Sequence, residues 1–81
     1  MTITPTVGRI VHYYPPGKWP PSTQPLAAII AHVWSDTCVN LMIFDANGNV
    51  YKQPQPTSVL LVQADNEVPS GGGYCCWPPK V

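Results

Sequence analysis

Arg9 stands inside the apolar and aromatic run Val7-Gly8-Arg9-Ile10-Val11-His12-Tyr13-Tyr14, and it is the side chain best equipped for chemistry in this sequence. Its guanidinium stays charged and presents five donors in a planar fork, which grips a phosphate or carboxylate at two points. The structural alternative is an ion pair with Asp36, Asp45 or Asp65, or a stem lying on Tyr13 with its head in water. His12 offers a titratable imidazole in the same run. A regular strand places it on the face opposite Arg9. A satisfied structural histidine is the plainer reading, and His32 is weaker still.

Asn40 interrupts a strand-like run between apolar neighbours, where asparagine is depleted. It either satisfies a backbone group at a bulge or reads the edge of a ligand. Thr57, Ser58 and the Ser35–Thr37 turn supply short hydroxyls of the kind that line phosphate pockets, although turn formation is their ordinary use. Tyr13, Tyr14, Trp19, Trp34, Tyr51, Tyr74 and Trp77 are many aromatics for so short a chain. A small core cannot hide them all, so an exposed patch is expected, as interfaces and stacking sites have. Tyr13, Trp34 and Trp77, with Lys80 near the end, complete the candidate binding set of Arg9, His12, Asn40, Thr57 and Ser58.

Charge excludes more than it assigns. Four basic and four acidic side chains among 81 residues leave no net charge. Duplex nucleic acid is bound by basic stripes that neutralise phosphates, and four scattered cations do not make one. No paired carboxylates, Ser–His–Asp order or metal motif supports a hydrolase, so the chain is read as non-enzymatic and without a cofactor. Cys38, Cys75 and Cys76 lack zinc-ligand spacing, and a bond between adjacent cysteines would close a strained ring. Free thiols are expected. Gly71-Gly72-Gly73 lacks the lysine of a phosphate loop and reads as a hinge.

The elements that must position these residues are strands. Eleven prolines cluster at 15–25, 54–56 and 78–79, and no window keeps a helical apolar period clear of Pro, Gly and β-branched runs. The expected strands are Val7–Tyr14, buried on both faces; Leu26–Trp34, central; Cys38–Phe44; a short Val50–Lys52; and Thr57–Gln63. Asp45-Ala46-Asn47-Gly48-Asn49 carries a hairpin signal, because Asn-Gly supplies positive φ angles. The expectation is one all-β domain over 1–81, a small five-stranded SH3-like barrel or strongly bent antiparallel sheet. It has a Pro-rich loop at 15–25, a Gly-rich loop at 64–73 and a C-terminal extended arm at 74–81, within which Tyr74–Trp77 reads either as one last short strand or as part of the arm. Closure would remove exposed edges. The longest apolar stretch, Leu26–Trp34, is too short to span a bilayer, and residues 1–8 do not read as a signal peptide. A cytoplasmic place and no membrane partner are expected.

Gly8-Arg9-Ile10-Val11-His12-Tyr13, Val33 through Leu41 (Val-Trp-Ser-Asp-Thr-Cys-Val-Asn-Leu), Thr57-Ser58-Val59 and Trp77-Pro78-Pro79-Lys80-Val81 together resemble a group of small phage and prophage proteins of unassigned function. Where members of that group carry an aromatic and a histidine before the last tryptophan, this chain has Cys75 and Cys76. The resemblance implies a phage origin and a compact β fold, and no chemistry. The cytoplasm of an infected bacterial host, or the virion, would then be its place. The expected function is a non-enzymatic homo-oligomer that sequesters a small anionic immune signal, of cyclic-nucleotide or ADP-ribose type, against host defence. The alternative is a minor structural or assembly protein, or an inhibitor that binds a host protein.

Overall fold

Period-two alternation of apolar side chains builds the interior. Val11 and Tyr13, Ala28 and Ile30, Val39, Leu41 and Ile43, Val59 and Leu61, and Cys75 point inward from five strands and form one core. A strand sends successive side chains to opposite faces, so each strand contributes alternate residues. The computed structural model describes residues 3–16, 24–51, 54–63, 68 and 72–78. In these, β1 is Ile10–Tyr14, β2 Leu26–Ser35, β3 Cys38–Ile43, β4 Val59–Val62 and β5 Tyr74–Cys76. They close into a barrel in the order β1-β2-β3-β4-β5, with β5 returning to β1. All neighbouring pairs are antiparallel except β4 and β5, which run parallel. The fold is the all-β, five-stranded small barrel expected. The described residues contain no helix long and apolar enough to cross a membrane.

Four details differ from the sequence reading. The first strand starts at Ile10 rather than Val7, because Val7 and Gly8 form a turn in which Gly8 adopts φ 96°. It is buried on one face only: Val11 and Tyr13 are inside, while Ile10 is exposed. The apolar run of β2 is likewise one-sided, with Ala28 and Ile30 buried and Ala27 and Ala31 outside, and past the irregularity between Ile30 and His32 both His32 and Trp34 are exposed. Of the expected strand at 50–52, Val50 forms an isolated bridge with Phe44, and Lys52 lies outside the described residues. Past it, the Gln55 side chain takes the place of a strand: its Oε1 accepts from Ile43 N at 3.1 Å and its Nε2 donates to Ile43 O at 3.3 Å.

The C-terminal segment is the fourth: of its two readings, short strand or arm, the strand holds for Tyr74–Cys76. Tyr74–Cys76 is no arm; it is the strand that closes the barrel. Tyr14 and Tyr74 are cross-strand partners with rings stacked at 5.0 Å and 21°. Gly72 and Gly73 both take φ 75°, and Gly73 N donates to Tyr14 O at 2.7 Å. At Gly72 a Cβ would run into the Pro15 carbonyl, so only glycine permits this approach. The hairpin at 45–49 forms as expected. Asp45 Oδ1 accepts from Asn47 N and Asn49 N, and Gly48 has φ 84°. Residues 17–23 of the expected Pro-rich loop, and most of the Gly-rich loop, lie outside the described residues.

Candidate functional site

The register of the barrel gathers the interesting side chains at one end. β1 begins there, β2 finishes there, and the β2–β3 turn at Asp36–Thr37 and the chain just after β4 and β5 all arrive there. Gln63 is the node. It is 3% exposed, and its amide is saturated. Oε1 accepts from Ile3 N and Trp77 Nε1, both at 3.1 Å. Nε2 donates to Ile3 O at 2.9 Å and Asp36 O at 2.8 Å. One side chain thus ties the N-terminal segment, the β2–β3 turn and the residue after β5, using all four hydrogen-bonding positions of an amide.

Trp77, fixed by that bond and packed against the core, carries Arg9. The guanidinium carbon lies 4.7 Å from the ring centroid, inside the range at which a cation is attracted to an indole face. Arg9 itself is exposed. No carboxylate among the described residues pairs with it, and Asp45 is instead spent on its own turn. The backbone here is also anchored: Gly8 N donates to Ile30 O at 2.8 Å and Ile30 N to Arg9 O at 2.9 Å. The result is an exposed cation held over an indole face.

A second cluster lies on the outside of the barrel, on the same stretch of β2 and β3. The β2–β3 pairing is irregular between Ile30 and His32 and again between Val33 and Ser35, and His32 and Asn40 are cross-strand partners between the two irregularities. Asn40 Oδ1 accepts from Trp34 Nε1 at 3.0 Å and from Ser58 N at 2.7 Å. Ser58 sits at φ 53°, an uncommon conformation for a non-glycine residue, and the Asn40 bond holds it there. The His32 ring meets Trp34 edge-on at 4.5 Å and 69°. Trp34 stays 61% exposed.

The expected binding residues therefore separate. Arg9 meets Trp77, and Asn40 meets Trp34 and Ser58, with Thr57 exposed next in the chain. Asn40 does serve a backbone group, as the plainer reading held, and orients the tryptophan as well. Tyr13 is 3% exposed and belongs to the core, its ring edge-on to Tyr51 at 6.1 Å. His12 is half-buried on the outer face of β1 opposite Cys76. Lys80 lies outside the described residues. One contributor, His32, is ranked too low by the sequence, and another, Gln63, is missed. His32 ranks lowest in the sequence reading because period two places it with Ile30 on the inner face, and the irregularity that exposes it together with Trp34 comes from the pairing with β3. For Gln63 the sequence offers no signal, since its four partners come from three distant segments.

Cys38, first in β3, and Cys76, next to Trp77, also reach this end. Cys38, Cys75 and Cys76 are free. Burial, with Cys76 alongside, pushes the Cys75 thiol up to about 12, and burial also raises Cys76. Neither is poised as a thiolate. No group of three or more His, Cys, Asp or Glu among the described residues is placed to hold a metal ion. A shallow depression of about 320 Å³ lies elsewhere, between Gln24–Ala27 and Asp45–Ala46. It includes none of the expected residues.

No protein-family model matches the chain, and no curated protein or solved structure matches it.

Proposed function

We propose that this chain is a non-enzymatic, phage-encoded binding protein that sequesters a small anionic nucleotide-type signal in the cytoplasm of the infected host. The observation that carries the reading is Arg9 held over Trp77, exposed and without a carboxylate partner among the described residues. A guanidinium that served only stability would be expected to rest in an ion pair or to lie flat with its stem buried. One laid on an aromatic face keeps its rim of donors for an external anion. The segments resembling small phage proteins supply the biological setting. Among the described residues one barrel offers one such cation at this end, so copies would associate to surround a ligand of several charges. Exposed Val7 and Ile10, beside Arg9, provide apolar surface for that association.

The same exposed side chains, at 66% and 59%, also favour a second reading, in which the partner is a protein of the host or the virion. Native mass spectrometry of the protein taken from phage-infected and uninfected cells separates the two. Oligomers carrying a nucleotide mass only after infection support sequestration. A ligand-free monomer, found also in purified virions, supports the structural role.

A further inference from the structure

Trp34 is held rigidly and yet exposed. Its Nε1 is bonded to Asn40 at 3.0 Å and its ring is braced by His32 at 4.5 Å, while 61% of the residue remains open. Fixing an indole costs rotamer freedom, and here little burial offsets it. A flat aromatic ledge of fixed orientation is what a stacking ligand needs.

Asn40 determines what the edge of that ligand must present. Both groups that approach its side chain, the Trp34 indole N–H and the Ser58 backbone N–H, are donors. The carbonyl oxygen must therefore face them, and its two lone pairs are both used. What remains is Nδ2, with hydrogens that meet no partner among the described residues. An asparagine with both ends free reads adenine by accepting from the 6-amino group while donating to the ring. Asn40 has no acceptor left. The exposed hydroxyls of Thr57 and Ser58 stand nearby in the chain as further donors.

We propose that the His32–Trp34–Asn40 ledge is a stacking site for a nitrogen heterocycle, and that it selects a 6-oxo purine edge over a 6-amino one. The inference rests on the nucleotide reading above and names the part of the ligand held apart from Arg9.

The test uses nucleosides, which carry no phosphate, titrated into isotope-labelled protein and followed by the Trp34 indole N–H and Asn40 side-chain resonances. Inosine moves both, and binds roughly tenfold more tightly than adenosine, the value of about one added hydrogen bond. Trp34→Leu abolishes both titrations. Asn40→Asp keeps the two acceptor bonds, so the indole N–H resonance of the free protein stays near its wild-type position. The change replaces the donor with a carboxylate and shifts preference towards adenosine. Arg9→Ala leaves nucleoside binding unchanged, so failure of the anion contact and failure of this site are separate results. The site is refuted if neither nucleoside perturbs Trp34. Its selectivity is refuted by equal affinity for the two, or by an unchanged preference in Asn40→Asp.

Discussion

Trp77 hands its indole N–H to Gln63 Oε1 at 3.1 Å and offers its ring to the Arg9 guanidinium, 4.7 Å from the centroid. The exposed cation is thereby positioned by a buried amide that it does not itself touch. The bond from Gln63 fixes the ring, and the ring fixes the charge. A surface arginine on its own samples many rotamers; this one is held at little cost in burial, because the attraction to an indole face survives partial exposure.

Gln63 should accordingly be among the most sensitive positions for stability. Gln63→Leu fills a similar space but strands Ile3 N and O, Asp36 O and Trp77 Nε1. Leaving buried groups unpaired costs about 1–3 kcal/mol each where water cannot replace the partner. Denaturant unfolding should show a loss of roughly 2–4 kcal/mol, within the range of a broken buried network. A loss below about 0.5 kcal/mol, the size of a neutral surface change, would mean that the node is not structural.

Gly72 and Gly48 provide a matched pair. Both have positive φ, at 75° and 84°, but a Cβ at Gly48 meets open space and one at Gly72 meets the Pro15 backbone. Gly48→Ala should cost about 1–2 kcal/mol from left-handed backbone strain alone. Gly72→Ala should cost more, since Pro15 must also move and β5 is pulled from β1. Equal melting temperatures for the two variants would show that the Gly72–Pro15 approach does not matter.

The pH dependence follows from the buried acids. Cys75 is pushed up to about 12 from an ordinary 9.0, and Tyr13, Tyr14 and Tyr74 are raised above 10.0, in each case chiefly by burial. The folded state therefore keeps protons that the unfolded chain gives up. Stability from Cys75 is complete below about pH 9 and is lost progressively between there and about pH 12. The slope is roughly 1.4 kcal/mol per pH unit for such a group. Unfolding free energy should fall above pH 9, less steeply in Cys75→Ala. Alkylation by iodoacetamide at pH 8 should leave native Cys75 unmodified. Rapid labelling there would contradict the burial.

Much of the barrel was legible because it is local. The alternation in Cys38–Ile43 and Val59–Val62 marks the inner face directly, and Asp45 to Asn49 encodes its own turn. What escaped depends on distant partners. Val50 reads as a strand, yet Pro54 and the Gln55 side chain terminate the pairing. Tyr74–Cys76 is too short for its sequence to decide between strand and arm, and it becomes a strand because β1 and β4 both present edges to it. At the site, Arg9 was recognisable as an unneeded charge among apolar residues, and Asn40 as a polar break. That Arg9 would meet Trp77, from the other end of the chain, follows only from closure of the barrel.

Self-association should be measurable by sedimentation at micromolar concentration. The account expects a species heavier than one chain, and expects Ile10→Lys to shift it towards the monomer without unfolding it, because Ile10 is 59% exposed. A wild type that is monomeric throughout would leave the anion with a single arginine and remove the shared-pocket arrangement.

Calorimetry with wild type, Arg9→Ala and Arg9→Lys against cyclic di- and trinucleotides and ADP-ribose derivatives tests the central claim most directly. At least one ligand should bind wild type. Arg9→Ala should remain folded and lose tenfold or more in affinity, the scale of one charge-assisted hydrogen-bonding partner. Arg9→Lys should recover little, since an ammonium lacks the planar two-point contact. Absence of binding across the panel, or undiminished binding by Arg9→Ala, would contradict the account.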